Sequence, residues 1–439
     1  MSATTCDVGI VKRVLVENAS VWSGKDTHVP WAGKLFLGHS SMILNHGECH
    51  KRHRSIVSPS FKSSVLKLYL PTIQRSVLNL LAFWSQSMKN SVSDRGVINI
   101  HYDISQMAFD IIIEITLGLR NNSFETSTEL FDPYRMLLTT DRQKLAAQHS
   151  KFQWMLKIPT QLNPILKLIF VKQIHKSVDK VIAEKLLQMS SKQRPTDSSS
   201  LGARTYLEYL LDAHFDGRLS LIEIRHEIMT VLLAGHETTS ITLIWSLLLL
   251  AQNQDVQEKA RKEAKTVLGT LNTITFDNLK QLHYINAIIH ETLRLYPVIP
   301  ILVRTSVADD TLNGYKIPAN TILTISVTNI HRDPDFWRHP DTFDPSRFLS
   351  DSGMFSETNP DVPWDHFMPF SDDLHKCLGY RFALAEMAVA LAELIQKFKF
   401  LLPEYQTTQG TFRNYTADYR DIIMIPRPNV ELRVVPVER

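Results

Sequence analysis

The stretch Phe370-Ser371-Asp372-Asp373-Leu374-His375-Lys376-Cys377-Leu378-Gly379 puts one cysteine in a turn-like segment directly ahead of a predicted helix. The positive end of that helix and the basic neighbours His375 and Lys376 both favour the thiolate, the form of cysteine that binds a metal. A buried packing cysteine is the ordinary alternative for a lone thiol, so the reading depends on what accompanies it.

Working outward, Ala234-Gly235-His236-Glu237-Thr238-Thr239 sits inside a long apolar helix, where glycine costs about 1 kcal/mol and paired threonines are poor helix formers. Small residues at Ala234 and Gly235 let a flat ligand or a diatomic molecule approach the backbone. Thr238 is placed to bond the carbonyl of Ala234, and an acid beside an alcohol, Glu237 and Thr238, can relay protons. The plain alternative is a helix kink with Glu237 facing solvent. Glu291 and Arg294, three apart, share a helical face, which alone is an everyday surface pair. Arg347, in Asp344-Pro345-Ser346-Arg347-Phe348, adds a second arginine in an irregular segment that needs something to hold it. The run Gly47-Glu48-Cys49-His50-Lys51-Arg52-His53-Arg54 places His50 and Arg54 four apart on one helical face. That face suits an anionic ligand, with a solvated basic surface as the alternative.

The whole chain frames these motifs. It has 439 residues and a formal charge of +3, too balanced for a nucleic-acid binder, and 44% hydrophobic residues allow a large core. Fifteen glycines are about half the usual share of roughly 7%, which leans away from a turn-rich β fold. Three cysteines cannot build a disulfide framework. Helical spacing dominates residues 65–186, 220–251, 255–267 and 276–296, with Pro297 and Pro300 ending the last. Short β-like runs follow at 301–307 and 321–327, with turn signals at Asn313-Gly314 and Pro318-Ala319, and a final helix covers 380–398 before a β-like tail. Residues 189–203 read as a polar surface loop. The fold class is therefore mainly α with a minor β portion, an α+β arrangement. Residues 231–251 are long enough to cross a membrane but carry His236 and Glu237, so a buried core helix is the better reading. No zinc-protease pattern, GxGxxG, Walker loop or GxSxG elbow is present.

Taken together and in order, these segments resemble the cytochrome P-450 family, the haem-thiolate monooxygenases, and most closely its eukaryotic, fungal-type microsomal branch. The resemblance runs from about residue 46 to the C-terminus. It implies a single P-450 domain over 1–439, with haem b held between the central helix and the cysteine loop with its helix. Cys377 is implied as the axial iron ligand, an anionic sulfur that pushes electron density onto iron. Glu237 and Thr238 match the catalytic acid-alcohol pair, with Ala234 and Gly235 leaving room above the cofactor. His50, Arg54, Arg304 and His375 match positions that pair with haem propionates, and Phe370 and Gly379 frame the cysteine loop. Glu291, Arg294 and Arg347 match a supporting triad. Implied partners are dioxygen, an apolar small molecule, an NADPH-cytochrome P-450 reductase with cytochrome b5 as a second donor, and no nucleic acid. Lys376 and Arg381 are candidates for the reductase-facing surface.

The expected activity is hydroxylation or epoxidation in specialised metabolism. An isomerase, dehydratase or peroxide-using enzyme of the same fold, or an inactive haem-poor scaffold, are the alternatives. Asp373 stands where the family's loop has glycine, so a strained positive φ is expected there. His375 and His50 stand where the family commonly has arginine and tryptophan. The front reads as shortened, without anchor, first helix and early strands. That suggests a cytoplasmic-side protein with endoplasmic reticulum association by family resemblance and peripheral membrane contact through residues 164–171. Specificity loops are expected at 15–42 and 131–171 and near Val298, Ile299, Ile301 and Leu302, which imply an apolar substrate.

Overall fold

The computed structural model describes residues 2–24, 31–90, 96–122, 124, 163–191, 204–269, 273–403, 416–418, 423–427 and 430–437. Of the expected loops 15–42, 131–171 and 189–203, residues 25–30, 131–162 and 192–203 lie outside these, and 163–171 is helical instead. Two compact units emerge: residues 1–25, 61–111 and 234–439 form the first, and residues 26–60 and 112–233 form the second.

The first unit holds the β portion and most of the motifs. Helix Ser63–Asn90 packs on helix Tyr380–Lys397, with the Tyr69 ring edge-on to Phe382 at 6.5 Å and the Gln74 amide donating to Glu393 at 3.0 Å. Ala388 to Ala392 are buried without exception, as a helix apolar on nearly all sides requires. Residues 276–296 divide into two helices, Phe276–Gln281 and His283–Leu295, because Leu282 leaves the helical region at ψ 63. Thr275 and Asn278 form a capping box that starts the first of them.

Strand Ile322–Ser326 runs parallel to Ser2–Thr5 and antiparallel to Ile301–Thr305, with Arg304 opposite Leu323. A second sheet orders Val97–Asn99, Glu431–Pro436 and Phe398–Leu401. The Asn313-Gly314 turn joins Asp310–Leu312 to Tyr315–Ile317 with φ of 47° and 83°, the doubly left-handed pattern of a tight hairpin. Leu302, expected near substrate, instead packs against the core cluster of Val11, Trp22 and Ile325, since its strand turns that face inward.

The second unit is helical: Trp31–Leu37, Gly47–Val57, Asn163–Ser191, Tyr206–Phe215 and the start of Leu221–Gln252. A Thr205–Glu208 capping box opens Tyr206–Phe215. Helix Asn163–Ser191 continues through 189–191, three residues beyond the expected start of the polar loop. Helix Leu221–Gln252 is long and apolar enough to cross a membrane, and 67% of its apolar window is buried in protein. The mainly α architecture with a small β portion is the one the sequence pattern calls for.

Candidate functional site

The cysteine loop is closed by its own backbone: the Cys377 N–H donates to the Phe370 carbonyl at 2.8 Å. The Cys377 side chain is exposed, and helix Tyr380–Lys397 begins immediately after Gly379, which offers no side-chain cap to its first N–H groups. The positive helix end therefore lies next to the thiol in the chain, as the thiolate reading requires. Lys376 and Arg381 sit over the Tyr380 ring at 5.2 and 5.3 Å, so two cations flank the loop. The loop differs from expectation in one respect. Asp373 opens a 3₁₀ turn, Asp373–His375, and the loop residue described with a left-handed backbone is Ser371, at φ 58.

Arg304 comes to this loop from strand Ile301–Thr305. Only 6% exposed, it donates to the Val303 carbonyl at 3.0 Å and to the Ser371 hydroxyl at 3.4 Å, and no carboxylate among the described residues pairs with it. Burial alone pulls its guanidinium down to about 10. A buried cation with neutral partners is costly, and an anionic ligand is what would offset that cost.

On the central helix, Thr238 donates to the Ala234 carbonyl at 2.7 Å and Thr239 to that of Gly235 at 2.8 Å. Ser240 and Thr242 continue the pattern on Glu237 and Thr238. Two faces result. His236 and Thr239 turn inward, His236 against Ser105 at 2.7 Å, with burial holding the imidazole down to about 3 and hence neutral. Ala234 is exposed while Gly235, Glu237 and Thr238 are half-buried, so the four residues proposed to face a ligand share the accessible side.

Behind that helix lies an acid the sequence reading passed over. Glu386 is fully buried, its carboxyl pushed up to about 8 by burial, with Oε1 3.3 Å from the Thr239 hydroxyl and Oε2 without a hydrogen-bond partner. The Thr239 hydroxyl lies within reach of the Gly235 carbonyl and of Glu386 Oε1, and can donate to either. The sequence signal was a glutamate among Ala385, Met387 and Ala388, a charge within the apolar middle of the helix.

Glu291, Arg294 and Arg347 meet as the resemblance implies. Arg294 grips both Glu291 oxygens, Nε at 2.7 Å and Nη2 at 2.8 Å, and the Asp344 N–H (2.9 Å) and Arg347 Nε (3.3 Å) complete four donors. Burial pushes the Glu291 carboxyl up, while the bonds from Arg294 and the Asp344 N–H and the charges of Arg294 and Arg347 favour its ionised form. Arg294 also donates to the carbonyls of His331, Pro340 and Thr342. From His331 the chain of contacts reaches the cysteine loop. Its Nε2 accepts the Met368 N–H at 2.9 Å, its ring stacks on Phe367, and Met368 in turn accepts from the Ser371 N–H at 3.1 Å. His331, also missed in the sequence, is held neutral by burial, down to about 3, and only the neutral ring can accept there.

His50 and Arg54 belong to the second unit, on Gly47–Val57, where His50 is 5% exposed and not part of a solvated face. The same helix buries His53, whose Nδ1 lies 2.8 Å from Glu227, and Glu227 also accepts the Met42 N–H at 2.6 Å. The His226-Glu227 pair had signalled only a missing zinc motif.

The Cytochrome P450 family model matches residues 2–429, and the chain belongs to that family. Cytochrome P450 97B2, chloroplastic, of Glycine max is 33% identical over 395 residues, 79% of this chain and 66% of the relative. Carotene epsilon-monooxygenase, chloroplastic, of Arabidopsis thaliana is 30% identical over 394 residues, 86% of this chain and 69% of the relative. Cytochrome P450 4A10 of Mus musculus is 29% identical over 386 residues, 85% and 70% respectively. The chain spans about two thirds of the length of such relatives. These are plant and mammalian proteins, so they lend nothing to a fungal-type placement.

The haem that this family carries fits the residues present. Arg304 is a buried cation awaiting an anion, the role of a propionate partner, and it contacts the very loop that exposes the Cys377 sulfur.

Proposed function

We infer that this chain is a haem-thiolate monooxygenase acting on an apolar small molecule with electrons from a reductase. The observation that carries this reading is the exposed Cys377 in a closed loop that a buried Arg304 contacts, an arginine with no carboxylate partner among the described residues. Bound haem supplies the redox chemistry of dioxygen, one oxygen atom entering the substrate and the other leaving as water at the expense of two electrons and two protons. The residues do the rest. Cys377 offers sulfur as an anion, its proton loss favoured by the uncapped helix end and the flanking cations. Arg304 and His375 would hold the propionates, and the assignment of His50 and Arg54 as propionate partners rests on the resemblance alone.

Glu237 and Thr238 hold and pass the protons. At rest the Thr238 hydroxyl gives its hydrogen to the Ala234 carbonyl and keeps oxygen lone pairs to accept a proton on the accessible face; to pass one on, it would turn its O–H from that carbonyl towards the ligand. Ala234 and Gly235 present no side chain that would block approach to the backbone. The proposed domain is the whole of 1–439, with reductase docking on the basic surface of Lys376 and Arg381.

Reconstitution with haem, a eukaryotic P-450 reductase, NADPH and labelled dioxygen tests the reading against a panel of apolar terpenoids and fatty acids. One labelled oxygen atom per product molecule is expected. Product without label would point to the isomerase or dehydratase alternative, and label supplied only by labelled peroxide would point to a peroxide-using enzyme.

A further inference from the structure

Three contacts, all inside the second unit, hold the chain where it leaves helix Trp31–Leu37. The Phe36 carbonyl, one of the acceptors that a helix end leaves open, takes a bond from His175 Nε2 at 3.0 Å. Gly38, left-handed at φ 78, lies so close on the His226 ring that a Cβ there would stand 1.9 Å from Cδ2. The Met42 N–H donates to Glu227 at 2.6 Å. His175 comes from helix Asn163–Ser191, whereas His226 and Glu227 are neighbours on Leu221–Gln252.

Beneath Gly38 a charged imidazole has little to support it. His226 is 9% exposed, and its buried Nδ1 has no hydrogen-bond partner among the described residues. The groups facing it are mainly basic: Arg225 beside it, His175 from the neighbouring helix and His39 from the held segment, with Glu223 opposing them. That acid is already engaged by Ser220 and Arg52, and Asp179, which faces His175, bonds Arg225 at 2.6 Å. From helix Gly47–Val57, His53 reaches Glu223 at 3.3 Å and Glu227 at 2.8 Å, and Tyr206 faces Glu227 from Tyr206–Phe215. A proton added at His226 therefore meets more repulsion than attraction, and the ring has no room to turn away under Gly38.

We propose that residues 36–42 form an acid-released cover: the segment stays closed while His226 is neutral beneath Gly38, and protonation of that ring lifts it. The segment belongs to the expected specificity region 15–42, so on the monooxygenase reading acid loosens the enclosure of substrate. The release itself is a property of the second unit and stands without haem. Burial and then Arg225 hold His226 down to about 4, and burial lowers His175 as well. Uncovered, His226 returns to its ordinary 6.5, so the cover is fully stable above that pH and weakens below it. The open form gains about tenfold between pH 7.5 and 5.5.

Amide hydrogen exchange of the haem-free full chain, followed by mass spectrometry at pH 7.5 and 5.5 and corrected for intrinsic exchange, tests this. Peptides over 38–45 should lose protection about tenfold at the lower pH. His226→Phe keeps a flat ring under Gly38 without a titrating nitrogen, and His175→Gln keeps an N–H for the Phe36 carbonyl. In the double variant the protection of 38–45 should stay within about twofold over the same range, and since any general effect of acid is common to both chains, the difference belongs to the cover. Gly38→Ala drives a methyl group into the ring, so it should open 38–45 at pH 7.5 about tenfold or more and blunt the response to acid.

Protection of 38–45 that is equal at the two pH values overturns the proposal, as does an undiminished loss in the double variant. Full protection in Gly38→Ala at pH 7.5 overturns the contact on which the cover depends. Should the double variant not fold, the unaltered chain and Gly38→Ala still decide the matter. A chain that takes up no haem but shows the exchange pattern above would sink the monooxygenase reading and leave the cover standing.

Discussion

Replacing Glu291 by alanine should unfold the protein more readily than any single surface change. Glu291 and Arg294 are both 0% exposed and joined by two bonds of 2.7 and 2.8 Å, so the substitution strands a guanidinium in the interior. Breaking such a pair costs about 3–5 kcal/mol. The Asp344 N–H and Arg347 Nε lose their acceptor as well, but both lie in the partly buried segment, so the upper end of that range already includes them. Glutamine should rescue little, since its amide NH₂ would face a donor. Leucine at 291 with methionine at 294 should not restore stability either, because Arg294 also satisfies carbonyls of His331, Pro340 and Thr342. Urea unfolding of the haem-free chain, followed by tryptophan fluorescence, reads the change from the midpoint and slope. A loss below ~1 kcal/mol for Glu291→Ala, or full recovery in the apolar double variant, would refute the view that this triad carries the segment 331–347.

Two further outcomes follow from the buried titratable groups. His236, His290 and His331 are held neutral by burial, down to about 3, 4 and 3 from an ordinary 6.5, so unfolding takes up protons below pH 6.5 and stability falls on acidification. Glu386, pushed up to about 8 from 4.5, keeps a proton that the unfolded chain releases, so its contribution is lost as pH rises from 4.5 to about 8. Each group contributes a slope of ~1.4 kcal/mol per pH unit in its window, which places maximum stability near pH 6.5. Glu386→Gln should flatten the decline between pH 6.5 and 8 in a urea-melt series, and an unchanged slope would show that Glu386 is ionised in the fold. Separately, His331→Leu leaves the Met368 N–H without an acceptor and should cost about 1–3 kcal/mol, whereas His331→Gln, which keeps an acceptor, should recover part of it; equal losses would sever the proposed link from triad to cysteine loop.

The motifs and the helices that carry them were legible because each is local: the Glu291–Arg294 spacing, the Thr238 bond to Ala234 and the helix after Cys377 all lie within a turn or two of chain. What the sequence hid depends on distant partners. His331 matters because Met368 lies 37 residues on, and Glu386 because Thr239 lies 147 residues back. Nothing near either residue marks the contact. The break at Leu282 was concealed by an unbroken apolar period across 276–296, and nothing in the sequence marked Ser371, two residues before the 3₁₀ turn, as left-handed. Arg304 was placed by resemblance, and the structure adds the physical ground: a buried cation with no acid paired to it among the described residues.

The central claim is that Cys377 binds haem iron as a thiolate. The carbon monoxide difference spectrum of the haem-reconstituted, dithionite-reduced protein, beside Cys377→Ala, tests it most directly. The account predicts the red-shifted Soret band of a thiolate-ligated haem, lost in the alanine variant. A thiolate-type band that survives Cys377→Ala, or no such band in the unaltered protein, would contradict it.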